Sequence, residues 1–154
     1  MKTPGFISLL LLSTSSIFGQ TTGITDIERT VFYMKEGIEV FEKVQKEKTA
    51  TSQIYIYYHK AEPQIIRFQK KEKLEKIVDW YYFEQILIYT ESNWQDTTSG
   101  KVLFTEKTYH HNGSLIAWLT SENTFVNSTL PEYKSLERRL DTTAIHLREE
   151  FLLR

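Results

Sequence analysis

The chain has 154 residues, a formal net charge of −1, 14% aromatic residues and no cysteine. That length suits one domain with a single core, and the near-balanced charge gives no long-range field to gather nucleic acid or an anionic membrane. Without cysteine there are no disulfides, thiolate metal ligands or cysteine nucleophiles, so the fold must be held by its core.

Residues 1–19 read as a cleavable secretory signal and 20–154 as one α+β domain. Met1 and Lys2 make a positive start, Phe6 to Leu12 is apolar, and Gly19 suits the small residue before cleavage at Gln20. The apolar run is shorter than the ~20 residues a spanning helix needs, and serines follow it. This segment resembles the signals of Gram-negative bacterial secreted proteins. The resemblance implies export to the periplasm or beyond, with no membrane span in the mature chain. With no cysteine after the signal, lipoprotein acylation has no acceptor.

Ile24, Ile27, Val31, Met34, Ile38 and Phe41 alternate spacings of three and four. One apolar stripe of this kind predicts a helix over Thr25–Lys48 that packs on a neighbouring surface. From Ser52 the period becomes two. Strands are expected at Ser52–His59, Gln64–Lys70, Leu74–Phe83, Ile86–Trp94, Val102–His111 and Ser114–Ser121. Asn112-Gly113 between the last two is a strong hairpin signal, because a type I′ turn needs positive φ at both central positions. Tyr81–Tyr89 echoes Tyr109–Ala117 as aromatic strand, polar turn and apolar strand, with Phe68–Ile77 as a looser third copy. Pro131 suits a helix start, and Tyr133, Leu136, Leu140, Ala144, Leu147 and Phe151 predict a second amphipathic helix. Asp141-Thr142-Thr143 is poor helix chemistry and is expected to kink or split it.

These elements predict an antiparallel meander of about six strands with both helices on one face and the other face open. In the first hairpin, Ile54 is expected opposite Phe68, Ile56 opposite Ile66 and Tyr58 opposite Gln64; a one-residue slip would put Arg67 into the core. In the Asn-Gly hairpin, Lys107 is expected opposite Trp118 and Tyr109 opposite Ile116. The open face would then carry Tyr55, Tyr57, His59, Arg67, Lys107, Tyr109 and Trp118. Aromatic side chains beside cations suit a protein or peptide of the cell envelope, or a glycan.

The function expected is therefore a non-enzymatic binding domain, with no cofactor called for. The alternative is a small hydrolase or transferase whose cleft centres on His59 or His110. His110 and His111 are strand neighbours and point to opposite faces, so they cannot share one metal ion. His146 and Glu150 have i, i+4 spacing and read as a solvated pair. No G-x-S-x-G, H-E-x-x-H, P-loop or dinucleotide-binding glycine motif occurs in the sequence. Arg67, Lys70, Lys71, Lys73 and Lys76, diluted by Glu72 and Glu75, read as a solvated hairpin end.

Overall fold

The computed structural model describes residues 12–152, with side chains described over 23–151. Most of the expected signal, residues 1–11, lies outside the described residues. The element order is α1 (Leu12–Glu36), a short 3-10 turn at Ile38–Val40, then seven strands. These are β1 (Glu42–Lys48), β2 (Ser52–His59), β3 (Glu62–Lys71), β4 (Leu74–Phe83), β5 (Ile86–Asp96), β6 (Val102–His111) and β7 (Ser114–Leu119). Helix α2 (Pro131–Leu147) and a π-helical turn at Arg148–Leu152 follow the sheet. The strands form one antiparallel sheet in sequence order, so every connection is local. No helix among the described residues is long and apolar enough to cross a membrane.

The first helix is shorter at its C-terminal end than its apolar spacing predicts. It stops at Gly37, and Ile38 and Phe41 continue the stripe from a turn, packing on the same cluster that α1 covers. The residues beyond form a seventh strand. Glu42–Lys48 is almost wholly exposed and borders the sheet, so only Val44 keeps an inward, half-buried position. The register shifts between Gln45 and Glu47, and this bulge with its alternating charges guards the edge against further strand pairing. The second helix runs unbroken through Asp141-Thr142-Thr143. The Thr142 and Thr143 hydroxyls donate to the carbonyls of Arg138 and Arg139, at 2.9 and 2.8 Å, and so stay within the helix's own hydrogen bonding.

The two helices cover opposite faces of the sheet, which corrects the expected one-sided arrangement. On one face, Ile27, Val31 and Met34 of α1 pack on Tyr57, Ile65, Tyr81, Tyr89, Tyr109 and Ala117. On the other, Leu147, Ala144 and Phe151 pack with Ile56, Ile66, Val78, Trp80, Tyr82 and Leu87. The strands carry apolar side chains on both sides through their middle: Ile65 and Ile66 are both fully buried, as are Tyr81 and Tyr82. A strand buried on both faces belongs to a sandwiched sheet, and each helix therefore has its own surface.

Three hairpins repeat one device. Each ends in a two-residue turn with positive φ at both positions: Lys60-Ala61 (50° and 67°), Glu84-Gln85 (50° and 63°) and Asn112-Gly113 (51° and 83°). Each also shifts register close to its turn, between Tyr57 and Tyr58, Tyr81 and Tyr82, and Tyr109 and His110. The third copy of the echo is thus Tyr57–Ile65, not Phe68–Ile77. The bulges leave Ile54 opposite Phe68 and Ile56 opposite Ile66, as expected, but place Tyr58 opposite Pro63. In the last hairpin they set Lys107 opposite Leu119, Thr108 opposite Trp118 and Tyr109 opposite Ala117. That one-residue shift moves Trp118 to the face opposite Tyr109.

Candidate functional site

The face carrying Tyr57 and Tyr109 is a sealed layer. Tyr57, Ile65, Tyr81, Tyr89, Tyr109 and Ala117 stand in successive strands, and the Tyr81–Tyr89 and Tyr89–Tyr109 rings meet edge to face at 5.4 and 5.1 Å. Helix α1 closes over them, leaving Tyr57 5% and Tyr109 1% exposed. The Tyr109 hydroxyl donates to Glu28 of α1 at 2.8 Å. Burial, with Glu28 second, pushes that hydroxyl's pKa above the ordinary tyrosine value.

A row of charges flanks the tyrosines. Arg67, Asp79, Glu91 and Lys107 stand opposite one another across β3 to β6. Arg67 donates twice to Asp79, both bonds at 2.7 Å, and also to the Tyr57 hydroxyl at 3.4 Å. The hydrogen bond to buried Asp79 raises the Arg67 pKa further, so Arg67 belongs to this bonded row and not to a solvated hairpin end. Lys35 of α1 pairs with Glu91. Tyr55 lies half-buried beneath Lys43, whose ammonium is 4.0 Å from the ring centroid, and exposed His59 leans on Phe41 at 5.4 Å. Six of the expected open-face residues, Tyr55, Tyr57, His59, Arg67, Lys107 and Tyr109, thus share a face, but α1 occupies its centre. Trp118 lies on the reverse.

That reverse face is polar along its middle. Trp80, Thr90, Thr108 and Trp118 stand opposite one another in consecutive strands. The two threonine hydroxyls meet at 2.5 Å, and Thr108 also bonds His110 Nε2 at 2.9 Å. His110 is 1% exposed, and burial pushes its pKa down to about 4. His111, its neighbour, is exposed, as strand alternation requires. His146 pairs with Glu150 at 3.0 Å, as its spacing suggested. No group of His, Asp or Glu among the described residues is arranged to hold a metal ion.

Between this face and α2 lies a cleft of about 360 Å³. One wall is made by the tips of two hairpins, through Gln85, Ile86, Asn112 and Gly113. The other is the C-terminal half of α2, through Asp141, Ala144 and Ile145, with Arg148 of the turn that follows, and Tyr82 and Leu87 lie between the walls. Tyr82 is 1% exposed and its hydroxyl has no hydrogen-bond partner in the protein. Two large apolar side chains of its lining stand open, Ile86 at 45% and Ile145 at 57% exposure. The volume falls at the low end of ordinary ligand pockets, enough for one or two side chains. The sequence pointed to the Asn112-Gly113 turn and to the echo around Tyr82, yet not to the helix that would meet them. Comparison with protein-family models, curated proteins and solved structures finds no match to this chain.

Proposed function

We propose that the domain is a non-enzymatic binding module of an exported protein, and that it seats apolar side chains of a protein or peptide partner in the cleft between the hairpin tips and α2. The observation that carries this reading is the pair of exposed side chains, Ile86 and Ile145, on the two walls of one concave opening. Single exposed apolar residues need no explanation, but two on opposing walls of one cavity mark a contact surface. Arg148 and Asp141 at the same opening supply the polar rim that such surfaces carry. The tyrosine face does not serve this role, because α1 already fills it.

The test places a photo-reactive benzoylphenylalanine at position 145 in one variant and at position 103 in another. Leu103 is 53% exposed near the other end of β6, so neither replacement disturbs a buried side chain. Irradiation of cells that make the protein should give a discrete protein adduct from position 145 and none from 103. No adduct at 145, or the same adducts at both positions, would overturn the proposal.

A further inference from the structure

Among the described residues, the buried side-chain atoms without a hydrogen-bond partner are Trp80 Nε1, Tyr82 Oη, His110 Nδ1 and Trp118 Nε1. All four sit on the face covered by α2. Trp80 and Trp118 end the row through Thr90 and Thr108, His110 bonds that row, and Tyr82 packs in one cluster with Trp80. On the α1 face, by contrast, Arg67 and Asp79 bond each other and Tyr109 bonds Glu28 of α1 itself.

A buried polar group left unpaired costs roughly 1–3 kcal/mol, because folding removes its water and returns nothing. Helix α2 answers none of the four. The side chains it buries are Tyr133, Leu136 and Leu147, and the Tyr133 hydroxyl donates to the Leu115 carbonyl at 3.3 Å. Its first turn has no side-chain cap, since Leu130 occupies that position. The helix therefore rests by modest apolar contact on a surface whose donors it leaves unsatisfied. Such an element opens at lower free energy than the sheet beneath it.

We infer that α2 is a strap that lifts from the sheet as a unit while the seven strands and α1 stay folded. Lifting widens the tip cleft into a surface with two indole N–H donors, a tyrosine hydroxyl and a histidine. This part rests on the cleft reading above; the lifting itself rests on the unpaired atoms and stands or falls separately.

Hydrogen exchange on the full chain, resolved by peptide, tests the lifting without any ligand. Amides of residues 131–147 should exchange at least ~100-fold faster than those in the middle of β4, β5 and β6. Tyr82→Phe removes one unpaired oxygen and keeps the ring, so exchange of α2 should slow several-fold while the α1 amides are unchanged. His110→Leu provides a second variant with the same expected direction. Protection of α2 equal to that of the central strands would overturn the inference. So would faster or unaltered α2 exchange in both variants, since that would mean the hydroxyl and imidazole help to hold α2 down.

Discussion

His110 is a buried base in a layer with no acid to meet it. Its Nε2 touches the Thr108 hydroxyl, its Nδ1 has no partner, and its folded pKa falls to about 4 from an ordinary 6.5. As pH drops below 6.5 the unfolded chain takes up this proton first, so folding loses stability until about pH 4 and no more from this group below that. The shift corresponds to about 3 kcal/mol at 1.36 kcal/mol per pKa unit. Urea unfolding at pH 7 and pH 4 should show wild type losing about that much more than His110→Leu; equal losses would mean the imidazole is already charged or solvated in the fold. His110 thus has the position of a structural residue: the sequence placed it on a strand and opposite in direction to His111, but could not say that no carboxylate would face it.

The hairpin tips show what an element inherits from its turn. Asn112-Gly113 suits positive φ at both positions, whereas Lys60-Ala61 adopts the same turn with side chains that disfavour it. Replacing Lys60-Ala61 by Asn-Gly should therefore raise stability by about 1–2 kcal/mol, read as a higher urea midpoint with an unchanged slope. A fall would show that the exposed Lys60 or Ala61 side chain contributes more than the strain costs. Such turns also account for what was legible. Period-two patterning located six of the seven strands, and Arg67 correctly excluded a slipped register in the first hairpin. The bulge beside each turn has no sequence signature of its own, and one displaced residue was enough to send Trp118 to the opposite face. Strand β1 was hidden for another reason. An edge strand has few inward positions to make apolar, so Glu42–Lys48 reads as a solvated helix end following the stripe that Ile38 and Phe41 prolong.

At the scale of the whole molecule, one sheet carries two unlike interiors. The α1 side is a layer of stacked tyrosines bordered by bonded charges, and the α2 side is a mixed aromatic and hydroxyl layer with unpaired donors and a cleft at its end. Alternating sequence patterns identify both sets of side chains equally well, but say nothing about which helix lies over which. With two amphipathic helices and a sheet, one covered face and one open face was a sufficient solution. The buried pairs Ile65–Ile66 and Tyr81–Tyr82 are the local evidence against it, because neighbours in a strand point to opposite sides and both members here are inside. The cleft follows from this division, since only a helix alone on its face can meet the hairpin tips as α2 does.

The most direct measurement is the distance between the two helices. The natural chain has no cysteine, so Phe32→Cys and Ile145→Cys in one molecule give two spin-label sites, at positions that are 57% exposed in each case. Helices on opposite sides of a sheet, each packed roughly 10 Å from it, put outward-facing labels about 30 Å apart or more in pulsed dipolar spectroscopy. A main distance of about 20 Å or less would place α1 and α2 side by side on one face, and would contradict the account.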